Sequence, residues 1–161
     1  MYSGSHATHL ADRPAFIMAS TGEAEPSAEL EARSNRLAHL LRAEGLDRGD
    51  HYAVFMENNA RFIECCGAGV RSGLYYTCIN SFLTPEEVAY IINNSQSKIL
   101  ITSQQKRDVA LKALKHCPDI KLCLIADAPS DGDQLINLDD ATAPYPVTPI
   151  PDETLGSAML Y

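Results

Sequence analysis

The stretch HYAVFMENNARFIECCGAGVRSGLYYTCINSFLTPEEVAYIINNSQSKILIT, His51 to Thr102, decides the fold. His51 to Met56 follows a Gly49-Asp50 turn and reads as a short apolar strand. A helical pattern comes next, with Asn58 or Asn59 as its cap, and runs to about Ser72, where Gly73 stops it. Leu74 to Ile79 is the following strand. Thr84-Pro85-Glu86-Glu87 is the sharpest local signal: Thr84 suits the N-cap, Pro85 has its φ already fixed at the first helical position, and Glu87 can reach back to close a capping box. That helix extends to about Asn94, and Lys98 to Thr102 (KILIT) is a β-branched strand.

The same alternation continues outward. Downstream, Gln104 to His116 is helical, with Val109, Leu111 and Leu114 apolar, and Leu122 to Ala126 is another strand. Upstream, Ala15 to Met18 reads as a strand before the turn Thr21-Gly22-Glu23. Ser27 to Glu44 then forms a helix with Leu30, Leu37, Leu40 and Leu41 on one face and Gly45 at the C′ position. Strands separated by single helices require crossover connections, so the expected class is α/β, a largely parallel sheet with helices on both faces. From Asp127 onward Pro129, Pro144, Pro146, Pro149 and Pro151 punctuate an Asp- and Gly-rich run. Residues 127–161 are therefore expected to be a long surface connection with one short strand at Leu135 to Leu138.

With 161 residues, 45% apolar and 21% charged, the chain is long enough for one globular domain. A net charge of -8 and scattered basic residues exclude nucleic acid as a partner, because phosphate binding needs clustered Lys and Arg. MYSGSHATHLADR lacks the basic-then-apolar order of a secretory leader, and no apolar run approaches the roughly 18 residues of a membrane span. Cys65, Cys66, Cys78, Cys117 and Cys123 show no CxxC spacing. They read as free thiols of a cytoplasmic protein, free or peripheral to a membrane.

Candidate chemistry is sparse. Gly67-Ala68-Gly69-Val70-Arg71-Ser72-Gly73 looks like a dinucleotide fingerprint, but its third glycine is one position late and the run lies inside a helix, so close packing explains it better. GxxxxGK[ST], GxSxG and HExxH sequences are absent. Asp127, Asp131, Asp133, Asp139 and Asp140 lack the spacing and the closing Glu of a calcium loop. His6, His9, His39, His51 and His116 are far apart in sequence. No residue is assigned a catalytic, cofactor-binding or metal-ligating role.

Glu29 to Thr102 nevertheless resembles the AMP-forming acyl-CoA synthetases of the adenylate-forming enzymes. The resemblance rests on AEL (Ala28 to Leu30), RSNRLAHLLRAEGL (Arg33 to Leu46), GD (Gly49-Asp50), MENN (Met56 to Asn59), RSGLYYTCIN (Arg71 to Asn80), LTPEEVAYIINNS (Leu83 to Ser95) and KILITS (Lys98 to Ser103), in that order. Ile79-Asn80 is similar to the fatty-acid ligases rather than to peptide-synthetase adenylation domains. Two positions depart from the family. Pro26-Ser27 stands in place of Thr-Tyr, which alters the helix cap, and Cys78 stands where the family usually has Pro, which removes a φ restraint.

The resemblance implies an incomplete N-terminal subdomain of the adenylate-forming fold, in which Leu155 to Tyr161 leads toward a Ser/Thr/Gly loop ending in Pro-Lys-Gly that wraps the ATP phosphates. For the complete enzyme it implies fatty acid, ATP, Mg²⁺ and CoA, reacting through an acyl-adenylate to acyl-CoA, AMP and pyrophosphate. The chain alone is expected to hold no cofactor, to be inactive, and to self-associate through an uncovered sheet edge. The rival expectations are a stand-alone, non-catalytic α/β interaction domain derived from such a ligase, and an unrelated nucleotide-binding domain of matching fold.

Overall fold

A computed structural model describes residues 10–161; His6, His9 and most of MYSGSHATHLADR lie outside the described residues. Strands β1 (Pro14–Ile17) and β2 (Ala24–Pro26) pair antiparallel, joined by a turn in which Gly22 adopts φ +74°. Helix α1 (Ser27–Ala43) follows at once. Pro26 sits at its N-cap without a side-chain bond, and the cap problem is solved from outside the helix. The backbone N–H groups of Ser27 and Ala28 donate to the carbonyls of Arg13 (2.9 Å) and Ala11 (3.1 Å), and Ser27 Oγ also donates to Arg13 O (3.0 Å). At the other end Gly45 is left-handed and the Leu46 and Gly45 N–H groups return to Leu41 O and Arg42 O, a Schellman motif.

The alternating core comprises β3 (His51–Phe55), α2 (Phe62–Ser72), β4 (Tyr75–Cys78), α3 (Pro85–Asn94), β5 (Ile99–Thr102), a 3₁₀ turn (Gln104–Lys106), α4 (Arg107–Leu114) and β6 (Leu122–Ile125). Helix α2 starts later than the sequence suggests: Asn59 Oδ1 accepts from Arg61 N–H (2.9 Å) and shapes a turn ahead of the helix instead of capping it. The Thr84 capping box is present, with Thr84 N–H donating to Glu87 Oε2 (2.8 Å) and Glu87 N–H to Thr84 Oγ1 (3.4 Å). The last segment holds more regular structure than a connection with one strand. It contains β7 (Ile136–Asn137), a short α5 (Leu138–Thr142) and β8 (Ser157–Met159). The strand expected at Leu135 to Leu138 shrinks to two residues because Asn137 Oδ1 accepts from Asp140 N–H (2.9 Å) and turns the chain into α5.

Strands β3 to β8 form one sheet in the order β7-β6-β5-β3-β4-β8, every neighbouring pair parallel. Because strand side chains alternate, each strand feeds two cores. Tyr52, Val54, Ile99, Ile101 and Leu124 pack with Leu37, Leu41, Cys65 and Ala68 of α1 and α2. Ala53, Phe55, Leu100, Cys123 and Ile125 pack with Val88, Ile92, Ala110 and Ala113 of α3 and α4. Helices thus cover both faces.

The glycines of α2 serve this packing. A Cβ on Gly67 would stand 2.6 Å from Ser34 Oγ of α1, and one on Gly69 would stand 2.5 Å from Tyr52 Oη of β3. Gly156 is tighter still: a Cβ there would lie 2.2 Å from Gly69 O and 2.4 Å from Leu74 O, both backbone atoms, so β8 can dock only through a bare backbone. Arg71, fully buried, forks onto Glu31 of α1 with two 2.7 Å bonds and ties α2 to α1. Residues 143–156 are pinned along one stripe of α1. Asn35 Nδ2 donates to Val147 O (2.7 Å), His39 Nε2 lies 2.9 Å from Thr148 O, and Arg42 pairs with Asp152 (3.0 Å). Ile150 anchors the same segment in the core.

Candidate functional site

In open parallel sheets, ligands gather at the carboxyl ends of the strands where the strand order reverses. Here the chain steps from β3 to β4 on one side and then to β5 and β6 on the other, so the reversal lies between β3 and β5. A cleft of about 630 Å³ opens near that point, with Glu57, Asn59, Arg61, Asp127 and Asp139 in its wall and Met18 and Thr21 of the β1–β2 turn on its rim.

The polar groups of the cleft form one network. Glu57, just after β3, accepts from Ser103 Oγ (2.6 Å), just after β5, and from Asn59 Nδ2 (3.1 Å). The same Asn59 amide donates to Asp127 Oδ2 (2.7 Å), just beyond β6, and the Gln104 N–H donates to Asp127 Oδ1 (2.6 Å). Burial alone would raise the Glu57 carboxyl, but bonds from Ser103, its own backbone N–H and Asn59 outweigh it and hold the group below its ordinary value. Arg61 bridges Glu64 (2.8 Å) to Asp139 (2.5 Å) and also donates to Ala126 O (3.1 Å). That guanidinium keeps the Asp139 carboxyl low.

The arrangement clamps the ends of β3, β5 and β6 together; it does not offer a reactive group. The carboxylates of Glu57 and Asp127 are occupied by protein donors, and Arg61 is spent on two carboxylates. A wall of Glu57, Asp127 and Asp139 repels phosphate, and among the described residues no cluster of three or more His, Cys, Asp or Glu could hold a metal ion. No chemical step is assigned to these residues.

The sequence candidates fall elsewhere or into other roles. Gly67 and Gly69 serve packing, as expected. Of the acidic cluster, Asp127 and Asp139 belong to the clamp, Asp131 pairs with Arg107, and Asp133 and Asp140 are exposed. His51 stacks on Tyr75 (4.9 Å between centroids), and His39 and His116 lie on other surfaces. All five cysteines are free. Sequence reading missed the clamp. Its traces were Met56 to Asn59 and Lys98 to Ser103 as matching segments and Asp127 in the acidic run, with nothing to join them.

Comparison with known proteins places the fold. The profile of the AMP-binding enzymes matches residues 5–159. The chain belongs to this family. A 3-oxocholest-4-en-26-oate–CoA ligase of Rhodococcus rhodochrous is 29% identical over 116 residues, covering 72% of this chain and 21% of that protein. A crotonobetaine/carnitine–CoA ligase of Escherichia coli O17:K52:H18 (strain UMN026 / ExPEC) is 34% identical over 125 residues, covering 73% of this chain and 24% of its own length. Among solved structures, an anthranilate CoA ligase in complex with anthranoyl-AMP superposes with a TM-score of 0.80 at 17% identity, covering 91% of this chain and 27% of that one. This AMP-binding-family chain therefore spans about a fifth to a quarter of the curated relatives it matches. Among the described residues no helix is long and apolar enough to cross a membrane.

Proposed function

We propose that these residues are the N-terminal scaffold of an ATP-dependent acyl-CoA ligase that activates a fatty acid through an acyl-adenylate, and that the 161-residue chain by itself does not catalyse the reaction. The observation that carries the reading is the family match over residues 5–159, joined to a six-stranded sheet whose reversal point is closed by a polar clamp. Stabilising charge on a transferring phosphoryl group requires preorganised donors or a metal ion. The clamp consumes its donors internally, so its work is to hold the strand ends on which a phosphate site is built.

Fatty acid as the acyl group rests on Ile79-Asn80 and its likeness to fatty-acid ligases. The relatives' own acids, a sterol carboxylate and a betaine, share the CoA ligase chemistry and differ in shape. Location in the cytoplasm belongs to the same proposal.

The test has two arms. Purified 161-residue chain is assayed for fatty-acid-dependent ATP–pyrophosphate exchange, with no signal above a protein-free control expected; exchange would overturn the scaffold role. The reading frame after Tyr161 is then sequenced. A Ser/Thr/Gly-rich segment ending in Pro-Lys-Gly, in a protein that forms acyl-CoA from a fatty acid, supports the proposal. A stop codon at that point, with stable soluble expression of the chain, would instead favour a stand-alone interaction domain.

A further inference from the structure

Of the five cysteines, Cys65, Cys117 and Cys123 are buried, while Cys66 and Cys78 are partly accessible. Those two face each other. Cys66 is on α2 and Cys78 is the last residue of β4, and their Sγ atoms are 3.7 Å apart. We propose that Cys66 and Cys78 are a redox-active dithiol that closes to an intramolecular disulfide on reaction with a small-molecule disulfide such as glutathione disulfide.

Three observations carry this. The sulfurs are already in contact at 3.7 Å, a short approach from the disulfide length of about 2.05 Å. The pair is selective: Cys65 is the immediate neighbour of Cys66, but its side chain is fully buried in the core with Leu37 and Leu41. The two thiols are also unequal. Either sulfur can donate to the other; with Cys66 as the donor, the bond lowers the Cys78 thiol below its ordinary value in spite of burial and raises Cys66. In that arrangement Cys78 is the attacking group and Cys66 the resolving one.

The chemistry balances with the named oxidant. Cys78 thiolate attacks one sulfur of glutathione disulfide, the S–S bond breaks, and one glutathione thiolate leaves. Cys66 then gives up its proton and attacks the Cys78 sulfur of the mixed disulfide, releasing the second glutathione. The protein loses two electrons and two protons, and glutathione disulfide is reduced to two thiols. The closed bond would staple α2 to the end of β4, immediately before the loop of Ile79 to Leu83.

The test treats the full chain with excess glutathione disulfide, alkylates remaining thiols and maps peptides by mass spectrometry. The expected product is a Cys66–Cys78 cross-link with loss of two of the five thiols, reversed by dithiothreitol. Cys66→Ser should accumulate a single glutathione adduct on Cys78, and Cys78→Ser should leave Cys66 largely unmodified. Because mapping of the unsubstituted chain needs no variant, a folding defect in either variant does not hide the answer. A stable mixed disulfide without a cross-link, a cross-link to Cys65, or no reaction over hours would each overturn the proposal.

Discussion

Gln96 is the one residue other than glycine with positive φ among the described residues, at +55°. It stands at the C′ position of α3, where its N–H donates to Asn93 O (3.1 Å) and the Ser97 N–H returns to Ile92 O (3.1 Å). The same motif ends α1 with Gly45, and a left-handed Gly73 also ends α2 with its N–H on Gly69 O, so Gln96 accepts a steric cost that the other two helices avoid. Gln96→Gly should therefore stabilise the chain by about 1 kcal/mol and raise Tm by about 2–4 °C, read by thermal melting. Glu57 makes a second expectation at this scale. Its folded carboxyl lies below the ordinary 4.5, so the stability it contributes is full above that value and is lost as pH falls through the depressed folded one. Ser103→Ala removes the bond that holds the ionised form and should cost about 1.5 kcal/mol near pH 7. Urea melts at pH 7 and near pH 3 should show that cost shrinking in acid, and a cost independent of pH would mean that the hydroxyl matters for packing instead.

At the scale of elements, α3 is held at its start by a reciprocal cap, and Thr84→Ala should lower stability by about 1 kcal/mol. Circular dichroism would read the loss, with no change in acyl-CoA formation when the substitution is carried into a complete ligase. This helix was legible because its signals are local: a capping Thr, a first-turn Pro and a returning Glu sit within four consecutive residues. The strands β3, β5 and β6 were legible for a related reason, since strands buried on both faces read as apolar runs. Elements defined by distant partners were not. β2 is a three-residue strand ending in Pro26, without periodicity, and β8 is a Ser-Ala-Met triplet that becomes a strand only by pairing with β4. The start of α2 was misplaced because the Asn59 side-chain oxygen can accept either from a helix N–H as a cap or from a nearer N–H in a turn, and no local pattern ranks the two. The clamp was invisible for the same reason at greater distance. Glu57, Ser103 and Asp127 come from three separate segments and meet only because the strand order brings β3, β5 and β6 side by side.

At the scale of the molecule, the sheet is well covered on its faces and poorly covered at the β8 end. Phe82 is 90% exposed and Leu160 84%, and Leu83, Tyr90, Ile91 and Tyr161 line an apolar groove of about 450 Å³ against α3. The outer edge of β8 has no partner strand among the described residues. Exposed apolar side chains together with an open strand edge favour association. The 17.6 kDa chain should therefore scatter light as more than a monomer at micromolar concentration and bind a hydrophobic dye, whereas a monodisperse, dye-silent monomer would show that the surface is too small or too polar to matter. The pairing of Tyr75 with Ser157 also has a consequence in time. A ribosome that extends the chain at roughly 5–20 residues per second delivers β8 about 4–16 s after β4 has emerged. Through that interval the β4 edge has no strand to receive, although β3, β5 and their helices can already have assembled. Vectorial synthesis thus leaves a defined window for a chaperone, or for the same edge on a neighbouring nascent chain, to occupy the place that Gly156 later admits β8 to fill.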